Sequence, residues 1–259
     1  MSKKALVAIS FGTSYPQAQK AIQNVEQALA TAMPDFDFFR AFTSRIIIRK
    51  LAKEQNLQIP TPAELMEQLA EQGYTDVVCQ TLHVIPGIEY EKMKAELETF
   101  AGRFEQLVVG TPLLYQQEDY AVCAQAVLRH GPKLKEDEVL ILMGHGTEHF
   151  ATAAYCQLEH AFRALGQNNV LVGTVEGFPD FSFVRKTLQE KLYRKVYLMP
   201  FMLVAGDHAQ NDLAGAEEDS WKSVLERDGY AVEARLTGLG ELPEIAQLIV
   251  AHMQEAERQ

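Results

Sequence analysis

The apolar run Val139-Leu140-Ile141-Leu142-Met143 is followed at once by Gly144-His145-Gly146-Thr147 and then by an amphipathic segment, residues 150–165. An uninterrupted apolar run of this length is typical of a strand that is buried on both faces of a parallel sheet. The two glycines indicate a tight turn between that strand and the following helix. The pattern therefore predicts a βα unit with His145 at the carboxyl end of its strand, the edge where open α/β sheets bind ligands.

Apolar runs alternate with amphipathic segments along the whole chain, which predicts an α/β fold with mainly parallel sheets flanked by helices. The predicted strands are 5–9, 36–39, 77–84, 107–112, 139–143, 170–175, 196–204 and 231–236. The predicted helices are 16–32, 61–72, 90–100, 120–131, 150–165, 181–192, 221–228 and 243–254. Thr61 and Pro62 mark the start of the second of these helices, because threonine is a favoured N-cap and proline a favoured first helical residue.

The loop after the first strand resembles the loop after the fifth. Gly12-Thr13 aligns with Gly146-Thr147 at an offset of 134 residues, and the same offset aligns Phe42 with Glu176. Both of the latter residues follow a predicted strand. One offset that matches two loops indicates an internal duplication.

A third match, between residues 84–89 and 203–208, has an offset of 119 residues, as an insertion in the first half would require. The three matches together predict two similar α/β domains, residues 1–130 and 131–259, with a cleft between them. The division is placed at Gly131-Pro132, and the C-terminal helix is free to pack back on the first domain.

The composition excludes several classes of protein. The formal net charge of −11 does not supply the basic surface that binding to nucleic acid requires. No stretch approaches the roughly 20 apolar residues of a membrane span, and residues 1–10 lack the features of a signal peptide, so we expect a cytoplasmic protein. The three cysteines have no Cys-x-x-Cys spacing, which argues against a disulfide framework or a zinc ribbon.

The duplication places different chemistry at equivalent strand ends of the two halves. The second half presents His145, Glu176 and His208, and the first half presents Phe11, Phe42 and Glu89. Two imidazoles and a carboxylate can hold a divalent first-row ion such as Co²⁺ or Fe²⁺ and leave positions open for a substrate. The two phenylalanines would form an apolar wall suited to a flat macrocycle.

Motifs along nearly the whole chain resemble those of the anaerobic sirohydrochlorin cobaltochelatases, members of the class II chelatase superfamily that includes the ferrochelatases. They are Ser10–Tyr15, Phe39–Ser44, Ile47–Leu51, Glu89–Lys92, Met143–Gly146, Val175-Glu176, Leu198–Pro200, Met202–His208, Asn211-Asp212, Asp219–Lys222 and Gly238–Glu241. The resemblance implies insertion of Co²⁺ into sirohydrochlorin without ATP, in the oxygen-independent branch of cobalamin synthesis. It also implies that His145, Glu176 and His208 are metal ligands and that His145 accepts a proton.

Removal of two pyrrole protons must accompany metal insertion, so a base near the ring lowers the barrier. We expect Glu89 to assist His145 in this catalytic role. The residues expected to bind the substrate are Ser10, Phe11, Gly12, Thr13, Phe42, Arg45, Glu89, Met202 and Leu203. Arg45 and Arg49 are four residues apart and would share a helix face, where they could pair with the carboxylates of sirohydrochlorin.

Two other functions remain open from the sequence. The same ligand set would accept Fe²⁺, which makes the chain a sirohydrochlorin ferrochelatase. A non-catalytic carrier of metal or tetrapyrrole would use the same residues without turnover. We expect sirohydrochlorin and the metal ion as the partners, no nucleic acid, no membrane and no cofactor beyond the metal substrate, with a homo-oligomer left open.

Overall fold

A computed structural model describes residues 2–258, which form eight strands and nine α-helices. The strands are β1 (Lys4–Ser10), β2 (Asp37–Phe42), β3 (Asp76–Thr81), β4 (Gln106–Val109), β5 (Glu138–Gly146), β6 (Val170–Glu176), β7 (Lys195–Pro200) and β8 (Ala231–Ala234). The helices are α1 (Pro16–Ala32), α2 (Arg45–Gln55), α3 (Pro62–Glu71), α4 (Ile88–Glu98), α5 (Gln117–His130), α6 (Ala153–Ala164), α7 (Phe181–Gln189), α8 (Trp221–Arg227) and α9 (Pro243–Glu257). None of the helices within these residues is long and apolar enough to cross a bilayer.

The strands form two four-stranded sheets with the orders β2-β1-β3-β4 and β6-β5-β7-β8. Every pair of neighbouring strands is parallel. The two orders are the same once β5 is placed on β1, as the duplication predicts. The predicted fold class, two similar α/β domains with parallel sheets flanked by helices, is confirmed.

The chain divides into two units at a different place from Gly131-Pro132. One unit runs to Tyr115 and includes the residues from Ile245 onward, and the other comprises Gln116–Glu244. Helix α5 belongs to the second unit because it packs on α6. Gly131 is therefore the C-cap of α5, where its N–H donates to the carbonyl of Val127, and not a linker between units.

The turns after β1 and β5 have the same structure. Gly12 and Gly146 both have positive φ, 90° and 82°. The hydroxyl of Thr13 accepts a hydrogen bond from the N–H of Tyr15 at 3.2 Å, and that of Thr147 accepts one from His149 at 3.1 Å. The alignment of Gly12 with Gly146 is therefore correct.

Strand register corrects the second match of the duplication. Ser10 pairs with Phe42 on β2, whereas Gly144 pairs with Thr174 on β6. With Gly12 on Gly146, Phe42 corresponds to Thr174, so its predicted alignment with Glu176 is wrong by two residues. Side chains alternate between the two faces of a strand, so an alignment shifted by two residues still places each side chain on the same face. The sequence pattern therefore cannot detect this error.

The third match agrees with the register. Ala5 pairs with Val77 on β3, and Val139 pairs with Val196 on β7, which reproduces the offset of 119 between the third strands. Glu89 near the start of α4 and His208 after β7 are therefore equivalent positions.

One face of each sheet packs against an apolar core. The cluster in the first unit includes Val7, Ile9, Met66, Leu69 and Cys79. The cluster in the second unit includes Ile141, Met143, Val196, Leu198 and Trp221. These buried strands hold the turns at their carboxyl ends in place, which is where the predicted site residues lie.

Candidate metal centre

His145 is the penultimate residue of β5 and is exposed, although the rest of the strand is buried. The strand continues to Gly146, which pairs in register with Glu176 at the end of β6. A Cβ atom on Gly146 would lie 1.7 Å from the carbonyl oxygen of Glu176. Only glycine therefore allows this close approach of the two strand ends.

Tyr155 of α6 packs against the end of β5, next to Gly144 and Gly146. Its side chain is fully buried, and its hydroxyl accepts a hydrogen bond from the N–H of Gly146 at 3.3 Å. A Cβ atom on Gly144 would lie 2.1 Å from the Tyr155 ring, so this glycine makes room for the tyrosine. Burial raises the pKa of Tyr155 to about 12, which keeps the phenol neutral.

The hydrogen bond of His145 defines its tautomer. Nδ1 lies 3.0 Å from the carbonyl oxygen of Gly146. A carbonyl oxygen can only accept a hydrogen bond, so Nδ1 carries the proton and Nε2 keeps its lone pair. Nε2 is therefore the ring atom of His145 that is available to bind a metal ion or to accept a proton.

His208 lies at the start of a helical segment that follows β7. Residues Ala209–Leu213 of this segment form a π-helix, a rare conformation that often occurs at functional sites. Nδ1 of His208 lies 2.6 Å from Oδ2 of Asp212, four residues later. The carboxylate accepts from Nδ1, which again leaves Nε2 with the lone pair.

The structure brings the two predicted histidine ligands together. Their ring centroids are 4.9 Å apart and the rings are at 80° to each other. Two imidazoles that bind one ion through bonds of about 2.1 Å, at an angle of roughly 90–110°, hold their ring centres about 4.5–5.2 Å apart. The separation of His145 and His208 falls in this range.

Glu176, the third predicted ligand, is exposed at the end of β6, and its backbone pairs with Gly146 next to His145. Within residues 2–258, however, no group of three or more His, Cys, Asp or Glu side chains is arranged to hold a metal ion. The structure thus joins the two histidines into one site and places Glu176 on the adjacent strand end without completing a set of three.

Several predicted substrate residues belong to the first unit. Phe11 is 50% exposed, whereas Phe42 is 3% exposed. The ring of Phe42 lies directly beneath Gly12, where it would contact any added Cβ atom. Phe42 is therefore a support for the Gly12-Thr13 turn, and Phe11 is the aromatic ring of this loop that is available to a ligand.

Polar and charged residues of the first unit differ in exposure. Ser10 and Thr13 are buried, and the hydroxyl of Ser10 has no hydrogen-bond partner among the described residues. Arg45 is exposed at the first position of α2, directly after the N-cap Ser44. Glu89 is exposed in the first turn of α4, 3.8 Å from the ammonium group of Lys92.

Met202 and Leu203 are largely internal. Met202 packs on the apolar core of the second unit, and Leu203 is 8% exposed. Their carbonyls accept hydrogen bonds from Leu239 and Gly240, at 2.9 and 3.0 Å. These contacts fix the segment that leads from β7 to His208.

Two residues of this site were not predicted from the sequence. Asp212 could have been found by its spacing. It follows His208 by four residues, and residues four apart on a helix share a face. Tyr155 gave no signal, since its contact with Gly146 depends on the packing of α6 on the sheet. Grooves elsewhere, such as the one of about 600 Å³ lined by α1 and α9, contain none of the predicted site residues.

The chain is similar to known proteins along almost its whole length. A family model described as Cobalt chelatase (CbiK) matches residues 4–258. The sirohydrochlorin cobaltochelatase of Salmonella typhimurium is 44% identical over 255 residues, which cover 98% of this chain and 96% of that protein. The sirohydrochlorin cobaltochelatase CbiKC of Nitratidesulfovibrio vulgaris is 32% identical over 259 residues, which cover 99% of this chain and 91% of that protein.

A solved structure, SirB from Bacillus subtilis with Fe³⁺, has a TM-score of 0.68 and covers 98% of this chain and 96% of that chain. At 14% identity this likeness concerns the fold alone. The match of the family model and the identity with both curated relatives extend over almost the whole chain. The chain belongs to the CbiK family of cobalt chelatases.

Proposed function

We propose that this protein is a sirohydrochlorin cobaltochelatase that inserts Co²⁺ into sirohydrochlorin, without ATP, in anaerobic cobalamin biosynthesis. The observation that carries the proposal is the pair His145 and His208, whose rings lie 4.9 Å apart at the ends of neighbouring strands in a cobalt chelatase chain. Imidazole nitrogen is a suitable donor for Co²⁺ and holds it with open coordination positions.

In this proposal the histidines present the ion through their Nε2 atoms, because both Nδ1 atoms already donate hydrogen bonds. Glu176 is proposed as the third ligand. Its exposed side chain can change rotamer at little cost, and its backbone is already fixed beside Gly146. A ligand on a mobile side chain also suits an ion that must be passed on to the macrocycle.

Insertion exchanges one dication for two pyrrole protons, so a proton acceptor is needed as well as a metal site. His145 is proposed for this role once the ion has left its Nε2 atom, since one lone pair cannot bind the metal and the proton together. Glu89 is proposed as a second acceptor. Its carboxylate is exposed and lies 3.8 Å from the ammonium group of Lys92, a contact that solvent weakens.

Sirohydrochlorin combines a flat conjugated ring with many carboxylates. We propose Phe11, which is exposed, as an apolar contact for the ring. Arg45 and Arg49 lie one turn apart on α2 and are exposed, so they are proposed to pair with carboxylates. Ser10, Gly12, Thr13, Phe42, Met202 and Leu203 are proposed to shape the loops that meet the substrate.

The metal ion is a substrate in this reaction, and the proposal includes no other cofactor. The proposed place of action is the cytoplasm. Iron insertion into the same tetrapyrrole and a non-catalytic carrier are the alternatives, because imidazole and carboxylate ligands do not by themselves discriminate Co²⁺ from Fe²⁺.

An anaerobic absorbance assay tests the proposal. Sirohydrochlorin is mixed with Co²⁺ or Fe²⁺ in the presence of the wild-type protein, His145→Ala, His208→Ala or no protein. His160→Ala is the matched control, because it removes an exposed imidazole on α6 of the same unit. We expect multiple turnovers with Co²⁺ for the wild type and the control, and strongly reduced rates for the other two variants.

Three outcomes would contradict the proposal. Equal rates with and without protein would exclude an enzyme. Metallation that stops at one equivalent per chain would indicate a carrier. A higher kcat/KM for Fe²⁺ than for Co²⁺ would assign the protein to iron insertion.

A further inference from the structure

His208 and Asp212 form a contact that the ligand set does not include. Oδ2 of Asp212 lies 2.6 Å from Nδ1 of His208, a short distance for a hydrogen bond with a charged acceptor. The side chains are both partly exposed, at 35% and 47%. Neither side chain is a member of the apolar core cluster of the second unit.

The helical segment around the two residues is adapted to this contact. Ala209–Leu213 is a π-helix, and a second side-chain bond joins residues four apart, from the amide of Asn211 to Asp207 at 3.0 Å. Both contacts, 207–211 and 208–212, join side chains that are four residues apart along this segment. The backbone thus holds the carboxylate of Asp212 close to His208.

The two histidines differ in what their Nδ1 atoms meet. Nδ1 of His145 donates to a neutral backbone carbonyl at 3.0 Å, whereas Nδ1 of His208 donates to a carboxylate. An anionic acceptor fixes the ring and its tautomer more firmly and makes the opposite nitrogen a stronger donor to a metal. The imidazole of His208 is therefore held more firmly at Nδ1 than the imidazole of His145.

We infer that Asp212 is a positioning residue for metal insertion, which holds His208 with Nε2 directed at the ion and makes His208 the firmer of the two imidazole ligands. His145, whose Nδ1 donates to a neutral carbonyl, is then the ligand that releases the ion first. The inference rests on the proposed function, because it concerns the same metal site.

The first test uses Co²⁺ alone, without tetrapyrrole, on the full chain under anaerobic conditions. Visible absorbance of Co²⁺ measures its dissociation constant for the wild type, Asp212→Ala and Asp212→Asn. The matched control is Glu226→Gln, which removes one carboxylate of the same unit from an exposed contact with Lys222, four residues earlier on α8. We expect Asp212→Ala to weaken Co²⁺ binding about 10- to 100-fold.

Asp212→Asn keeps an oxygen that accepts from Nδ1 but removes the charge, so we expect a smaller loss than for alanine. The control should bind Co²⁺ as the wild type does. In the His208→Ala background Asp212→Ala should have no further effect, because Asp212 acts through His208. An equal loss in both backgrounds would overturn the inference.

The second test reads the tautomer directly. In protein with ¹⁵N-labelled histidine at alkaline pH, His208 should show a protonated Nδ1 in the wild type and in Asp212→Asn, and a mixture of tautomers in Asp212→Ala. Unchanged Co²⁺ affinity together with an unchanged tautomer in Asp212→Ala would overturn the inference. Neither measurement involves turnover, so a wild-type protein that fails to metallate sirohydrochlorin would contradict only the proposed function.

Discussion

The imidazole of His145 meets that of His208 nearly at right angles, with ring centroids 4.9 Å apart. Each ring is fixed at Nδ1 by a different acceptor, the Gly146 carbonyl and the Asp212 carboxylate. Two imidazoles that share one ion act as a unit, and their contributions should not add.

Removal of either imidazole should impair chelation. We expect His145→Ala to lower kcat about 10²- to 10⁴-fold, because it loses both a proposed metal ligand and the proposed proton acceptor. His208→Ala should mainly raise the apparent KM for Co²⁺. The double variant should be little worse than His145→Ala, and steady-state rates that multiply the two single effects would show that the residues act independently.

Gly146→Ala should disrupt the site through the backbone. The new Cβ atom would lie 1.7 Å from the carbonyl oxygen of Glu176, which forces the ends of β5 and β6 apart. We expect a loss of about 2–4 kcal/mol in the free energy of unfolding, from steric overlap and the positive φ together. Urea unfolding and the chelation assay measure the two effects.

Gly166→Ala is the control for the backbone conformation. Gly166 also has a positive φ, 78°, but an added Cβ atom there has no neighbour within 4 Å. It should cost only about 1–2 kcal/mol and leave chelation unchanged. Equal behaviour of the two alanine variants would show that the contact with Glu176 is unimportant.

Tyr155→Phe should destabilise the turn that carries His145. Loss of the hydroxyl leaves the N–H of Gly146 buried without its acceptor at 3.3 Å. The expected cost is about 1–3 kcal/mol in the free energy of unfolding, with a lower kcat for chelation. Tyr193→Phe, on a half-buried tyrosine of the same unit, should have little effect, and a wild-type stability for Tyr155→Phe would argue against this support.

Stability should depend on pH through His83. Burial lowers the pKa of His83 to about 4, and its Nδ1 lies 2.7 Å from the hydroxyl of Thr81. Its Nε2 atom is buried without a partner among the described residues. The folded protein therefore favours the neutral ring, so the unfolded chain binds more protons between the folded pKa and the ordinary value of 6.5.

The stabilisation from the neutral ring is complete above the unfolded pKa and is lost as the pH falls from 6.5 towards about 4. We expect the free energy of unfolding of the wild type to fall more over this interval than that of His83→Leu, by up to about 3 kcal/mol. Urea unfolding at several pH values measures the difference. Parallel curves for the two proteins would contradict the prediction.

Charge reversal on α2 should weaken binding of the tetrapyrrole. Arg45→Glu or Arg49→Glu should raise the apparent KM for sirohydrochlorin several-fold, without changing the KM for Co²⁺, because each replaces a cation that is proposed to pair with the carboxylates of the substrate. Lys53→Glu makes the same change on the same helix, about 12 Å along the axis from Arg45. It should leave both KM values unchanged, and an effect equal to that of Arg45→Glu would indicate a long-range charge effect only.

Much of the fold could be predicted because its signals are local. The apolar runs of β1 and β5 and the amphipathic spacing of α1 follow from the periodicity of buried residues, and Thr61 and Pro62 mark the start of α3 at the predicted place. The helix Arg45–Gln55 is absent from the predicted helices, and only Leu51 of its residues is buried.

The candidate site was predicted in part. His145 and His208 could be predicted because each follows a predicted strand of the second half. The internal duplication matches their loops to loops of the first half. The alignment of Phe42 with Glu176 was wrong, because a two-residue slip preserves the alternation of side chains and only the hydrogen-bonded register reveals it.

The sequence alone is sufficient to predict the α/β class, the two similar halves, the family and the two histidines as candidate ligands. Each of these depends on local patterning or on motifs. Three-dimensional structure was required for the contacts between distant segments. It alone shows that Tyr155 reaches the turn of His145, that Phe42 is buried beneath Gly12, and that α5 packs with the second unit. These contacts depend on the packing of helices on sheets, which brings together residues whose separation along the chain carries no signal.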